Sequence, residues 1–387
     1  MSETDFDKIA DRRRSDSEKW GIYAEDVIPL WVADMDFQAP EPVIQALQRR
    51  VDHGIFGYSK RPVALAEAVV ERLERLYGWK ALPDAVTFLP GVVPGFNLAA
   101  RALARPEAEL LIQTPVYPPF LTVAAHAGLG RRINTLDRRA DGCWEIDFGS
   151  FAASLGRTTA AFLLCNPHNP VGRVFRRDEL STLAELCLRE EVPVISDEIH
   201  SDLIFHGHAH IPFAALAPEV ERKTITLMAP SKTFNIPGLE CAFAVIPDAQ
   251  LRRRFEDARA GLVPEANLLA CTAALAAYRH GQAWLAAALD YLEANRNLLA
   301  DFCRARVPEI TLARPEGTYL AWLDCRRAEL TMNPAAFFLE RARVALSDGT
   351  SFGPGGDGFV RLNFGCPRPL LAEALERMET ALQRCNC

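Results

Sequence analysis

Apolar positions along the chain follow two alternating rhythms. Between Glu41 and His53, Val43, Leu47 and Val51 recur at helical spacing, and Gly54 supplies a stop. Pro62 opens a longer stretch in which Leu65, Val69, Leu73 and Leu76 mark one face and Gly78 ends the pattern. Short apolar runs follow at Val86–Leu89, 110–113, 160–165, 192–196, Thr224–Met228 and 242–246. They are continuous, which suits strands covered on both faces. Helical stretches separate several of them, such as 96–103 and 178–190. This order predicts an α/β unit with a mostly parallel sheet flanked by helices. After about residue 250 the pattern changes to long Ala/Leu/Arg-rich helices at 264–279 and 282–305, strands at 319–323 and 359–364, and a helix at 370–383. We expect a large α/β domain over 45–285. Residues 286–387, joined by 1–44, would form a smaller α+β domain.

Composition narrows the class. A chain of 387 residues suits two or three domains at roughly 150 residues each. With 49% hydrophobic and 24% charged residues it has a large core and is not globally disordered. The net charge of −7 argues against a nucleic-acid partner. No apolar run approaches the ~20 residues that span a bilayer, so no membrane association is expected. The charged N-terminus lacks a signal-peptide core, which points to the cytoplasm. Ten dispersed cysteines without CxxC spacing then read as reduced thiols; only Cys385 and Cys387 lie close together.

Arginine outnumbers lysine 37 to six, so a lysine in an apolar turn raises a chemical question. Lys232 is such a residue. It follows the run Thr224–Met228 within Ala229-Pro230-Ser231-Lys232-Thr233, at a strand end where an α/β sheet holds ligands. Desolvation would make it an amine nucleophile for a carbonyl, although an exposed turn lysine fits the same residues. Asp197, after the run 192–196, could pair with a protonated ring nitrogen or cap the following segment. Asn169 lies in the turn-rich Asn166-Pro167-His168-Asn169-Pro170, where turn chemistry alone would account for it. Gly91, Val92 and Val93 stand between a strand and a helix, where backbone N–H groups can meet a phosphate. Tyr117 is either loop packing or a stacking platform.

Two patterns carry less weight. Gly353 to Gly358 fits GxGxxG but precedes a strand rather than a helix, so it fails as a dinucleotide fingerprint. His206, His208 and His210 alternate. That would put three imidazoles on one face of a strand, yet a polar loop fits better than a metal site, and none is assigned.

Taken in order, these segments resemble the fold-type I pyridoxal-phosphate enzymes of the aspartate-aminotransferase-like superfamily. Within it they are similar to the MalY/PatB group of cystathionine β-lyase-like C–S lyases. The resemblance also rests on Trp31 to Phe37, Phe56-Gly57-Tyr58, Asp197-Glu198-Ile199-His200 and Arg361-Leu362-Asn363-Phe364. It implies that Lys232 is the Schiff-base lysine and the proton shuttle, and that Asp197 partners the pyridine nitrogen. Asn169 and His200 would lie near the ring oxygen, and Tyr117 would stack on the ring. Gly91, Val92, Val93 and Ser231 would hold the phosphate, with Tyr58 contributed by the second subunit of a homodimer. Ala33, Asn169 and Arg361 would receive the substrate. One departure is Glu240, where many aminotransferases carry a phosphate-binding arginine.

The resemblance implies a C–S β-lyase that cleaves cystathionine or related cysteine conjugates to thiol, pyruvate and ammonia. Lys232, Tyr117 and Asp197 would be catalytic. The leading alternative is an aminotransferase of the class I/II type, which uses the same residues.

Overall fold

The computed structural model describes residues 4–60 and 62–385. Its centre is a seven-stranded sheet in the order Val86–Leu89, Ala242–Val245, Thr224–Met228, Val194–Asp197, Thr159–Cys165, Glu109–Thr114 and Gly130–Thr135. Ala242–Val245 runs antiparallel to both neighbours, and the other pairings are parallel. The expected mostly parallel sheet flanked by helices is therefore present. All residues of Val86–Leu89, Thr159–Cys165, Val194–Asp197 and Thr224–Met228 are buried, as continuous apolar runs require. The edge strand Gly130–Thr135 has no such run, because Arg131 and Arg132 interrupt it.

Helix ends follow the stop signals. Gly54 and Gly78 close Glu41–His53 and Val63–Tyr77 in the left-handed conformation. The helix after the first strand starts at Val92, four residues before the expected 96. Pro94 is accepted in its first turn, where its missing N–H costs nothing. Gly95 lets this helix lie on the sheet, since a Cβ there would come within 2.8 Å of Leu227.

The chain's later part builds an antiparallel three-stranded sheet from Leu320–Asp324, Phe359–Asn363 and Ser347–Asp348. The N-terminal segment joins it: Ile28–Pro29 pairs in parallel with Val344–Ala345, and Asn363 N–H donates to the Leu30 carbonyl (2.9 Å). The 25-residue helix Gln282–Arg306 packs on the C-terminal helix Arg368–Cys385. The glycine-rich stretch near 353 is a loop in which Gly349 and Gly356 meet backbone to backbone, leaving no room for a side chain. Its glycines thus serve packing. All cysteines among the described residues are free thiols; Cys387 lies outside them. No helix among them is long and apolar enough to cross a membrane.

Candidate active site

Sheet topology gathers the site. The paired registers Cys165↔Asp197 and Asp197↔Leu227 bring three parallel strands to a common carboxyl edge. The strands Glu109–Thr114 and Val86–Leu89 end on the same edge. Five connections therefore emerge together, carrying Gly91 to Val93, Tyr117, Asn169, Asp197 to His200, and Ser231 with Lys232. Because Ala242–Val245 runs the opposite way, it enters at this edge and brings Glu240 and Cys241. These residues, with Ala33 from the N-terminal segment, line a cavity of about 180 Å3.

Lys232 sits in the short helix Pro230–Thr233, and its Nζ donates to the Ala33 carbonyl (2.6 Å). Burial lowers its pKa from 10.5 to about 8, with Arg361 acting in the same direction and Asp34 and Asp197 opposing. Asp197 is only 4% exposed. Its carboxyl group accepts one hydrogen bond among the described residues, from Ile199 N–H (3.1 Å), and burial raises its pKa to about 7. His200 is buried with its ring edge toward Tyr319, and its Nδ1 has no hydrogen-bond partner among the described residues. Burial lowers its pKa to about 3, so the imidazole is neutral. Burial also raises the pKa of Tyr117, which keeps the phenol protonated.

In the same wall, Gly91 precedes the twelve-residue helix Val92–Leu103 without a side-chain cap. The first-turn N–H groups are thus available to an anion beside Ser231. Glu240 adds a carboxylate rather than a cation to this cavity. Arg361 does not line the cavity but stands behind it. Its guanidinium donates to Asn169 Oδ1 (3.1 Å) and to the Trp31 carbonyl (2.8 Å), and it lies over the Phe352 ring. Its Nε has no partner among the described residues, and burial lowers its pKa to about 10.

The sequence-derived residues Gly91, Val92, Val93, Tyr117, Asn169, Asp197, His200, Ser231, Lys232 and Ala33 converge on one cavity. Tyr58 does not: within the single chain it is fully exposed and outside the cavity wall. The three alternating histidines also part company. Gly207 turns the chain at positive φ, so no strand forms. His206 meets Glu293, and His210 is buried against Glu198. No metal-binding cluster exists among the described residues.

Other residues were not singled out by sequence. Tyr319 is buried and donates its hydroxyl to the same Ala33 carbonyl (2.8 Å). Asn363 Nδ2 binds the Val32 and Asp34 carbonyls, and Asn235 Nδ2 binds those of Met35 and Phe37. Asn363 falls inside the Arg361 to Phe364 segment and Asn235 lies three residues after Lys232, but only their long-range partners reveal the role. The arrangement offers a desolvated amine, a buried carboxylate and a protonated phenol, with backbone donors for an anionic tail.

The family model for aminotransferase class I and II matches residues 25–378. Cystathionine beta-lyase PatB of Bacillus subtilis is 41% identical, covering 97% of this chain and 99% of its own. The crystal structure of OvoB is 46% identical with a TM-score of 0.93, over 98% of this chain and 99% of its own. Cystalysin from Treponema denticola, whose structure contains pyridoxal 5′-phosphate, is 32% identical with a TM-score of 0.95, over 99% and 100%. Matched along nearly its whole length, the chain belongs to the aminotransferase class I and II family.

Proposed function

We propose that this chain is a pyridoxal-phosphate-dependent C–S β-lyase, acting on cystathionine or related cysteine conjugates. The observation that carries the reading is the convergence of Lys232, Asp197 and Tyr117 on one cavity, in a chain 41% identical to a cystathionine β-lyase.

The residues fit the cofactor. Asp197 is a buried carboxylate without an ion pair among the described residues, as suits a protonated ring nitrogen. His200 Nδ1 is an unpartnered polar atom in the same wall. The uncapped helix start at Val92 and Ser231 suit a phosphate. Bound, the cofactor supplies an electron sink for negative charge at the substrate Cα.

Lys232 then acts as general base. In the chain without cofactor burial lowers its pKa to about 8, so this setting holds the amine's proton less tightly than water does. Asp197 holds the positive charge of the ring nitrogen in place. Arg361, backed by Asn169, receives the substrate α-carboxylate. Tyr117 or Lys232 gives a proton to the departing sulfur at Cβ. With one water consumed, the products are thiol, pyruvate and ammonia.

A homodimer completes the reading, with Tyr58 of a second copy reaching the phosphate end. Ile55, Phe56 and Tyr58 form an exposed, largely aromatic stretch, and two-fold symmetry would give two equivalent sites. We assign 45–285 as the cofactor-binding unit and 286–387 with 1–44 as the smaller one. The deciding experiment incubates purified protein with cystathionine, and separately with amino-acid/keto-acid pairs. Release of thiol and pyruvate supports the lyase; formation of a new amino acid without thiol release would replace it with an aminotransferase.

A further inference from the structure

The segment from Trp31 to Phe37 reaches the site through the Ala33 carbonyl, which accepts from both Lys232 and Tyr319. The two residues after Ala33 in the acidic pattern, Asp34 and Asp36, are gripped by cations from the N-terminal stretch. Arg12 donates to Asp34 Oδ2 (2.6 Å), Asp36 Oδ1 (2.6 Å) and the Met35 carbonyl (3.2 Å). Lys19 is fully buried and donates to Asp36 Oδ2 (2.7 Å) and the Asp34 carbonyl (3.2 Å). Trp20 adds its indole N–H to Asp36 (2.8 Å). A buried ion network of this density has to be satisfied at every member.

We propose that Arg12 and Lys19 form a charge clamp on Asp34 and Asp36 that fixes the Ala33 carbonyl against Lys232 and sets how readily that amine loses its proton. Arg12 is thus a positioning residue for the proposed base, and the inference rests on that role of Lys232. The charged and titratable groups facing Lys232 are Asp34, Asp197, Arg361 and His200, with Tyr319 on the shared carbonyl. Asp34 favours the protonated amine, and Arg12 and Lys19 oppose that field.

Charge and looseness predict opposite signs at one position. Removing the Asp34 charge makes the amine easier to deprotonate. Merely loosening the segment would admit water and return Lys232 toward an ordinary lysine. The test uses the full chain stripped of cofactor. The amine of Lys232 is labelled by trace reductive methylation across a pH series and quantified on its peptide by mass spectrometry. In Asp34→Asn the labelling midpoint should move to lower pH, and in Arg12→Gln to higher pH. Arg12→Lys should restore it. Each movement should be at least about half a pH unit. An alkaline movement or none in Asp34→Asn, or no alkaline movement in a folded Arg12→Gln, overturns the proposal. This isosteric variant decides alone if Arg12→Gln lacks the wild-type circular dichroism spectrum. No turnover is needed, so a failed lyase assignment leaves the result interpretable.

Discussion

Asp197 should oppose stability and serve function at the same time. In the protein without cofactor its pKa rises from 3.8 to about 7 because the carboxylate is buried. At 1.36 kcal/mol per pH unit, that is about 4 kcal/mol against the ionised form. The sign follows from proton counts. Between those two values the folded chain holds a proton that the unfolded chain has released, so stability falls as pH rises. The cost is nearly absent near pH 4 and complete above about pH 8. Asp197→Asn keeps the shape and the acceptor for Ile199 N–H but cannot ionise. Without cofactor, this variant should unfold at a higher temperature than wild type at pH 8, and the gap should close near pH 4. With cofactor the order reverses, because the ring nitrogen loses its counter-charge. Removing one member of a buried ion pair destabilises by about 3–5 kcal/mol, and without the carboxylate the electron sink weakens, so turnover should fall by more than about tenfold. Thermal unfolding at the two pH values and pyruvate release from cystathionine measure the two arms. Turnover within tenfold of wild type, or a pH-independent gap in unfolding temperature, would refute the reasoning.

Other outcomes follow from the same geometry. Lys232→Ala should abolish both turnover and the borohydride-sensitive visible absorbance of the purified protein; a surviving reducible band would move the covalent link elsewhere. In the chain stripped of cofactor, the rate at which Lys232 condenses with added pyridoxal phosphate should rise with pH through about 8, since the amine must be neutral to attack a carbonyl. Arg361→Lys keeps the charge but loses the fork that spans Asn169 and the Trp31 carbonyl and that we propose receives the substrate carboxylate. Its KM should rise by one to two orders of magnitude, about 1.4–3 kcal/mol, with a smaller change in kcat. Tyr58→Phe should weaken cofactor retention on dialysis. Mixed with Lys232→Ala chains, a more severe, inactivating Tyr58 variant should recover some activity through hybrid sites; no recovery after demonstrated subunit exchange would count against the shared site.

Much of the site was legible because its parts follow strands that are apolar on both faces. The runs ending near Cys165, Asp197 and Met228 announce where the loops emerge, and each loop carries a chemically conspicuous residue. The failures have local causes. Gly130–Thr135 is an edge strand whose two arginines erase the apolar signal. The start of the helix at Val92 was hidden by Pro94, which reads as a breaker yet is harmless in a first turn. The alternation of His206, His208 and His210 is a different case: the polar loop that suited them better is what forms, because Gly207 bends the chain and sends His210 to Glu198. Tyr319 carries no local signal, because its role depends on the Ala33 carbonyl 286 residues away.

That separation also sets a timetable for the newborn chain. Asn363 binds the Val32 carbonyl across 331 residues, so the ribbon around Ala33 leaves the ribosome long before its last partner exists. At synthesis rates of 5–20 residues per second, the wait is about 15–65 s. For that interval Leu30 and Met35, both buried in the finished protein, lack their late partners at Asn363 and Gly365. Cavity closure therefore depends on synthesis of the C-terminal part, and a nascent chain halted before residue 363 should expose this ribbon to chaperones and proteases.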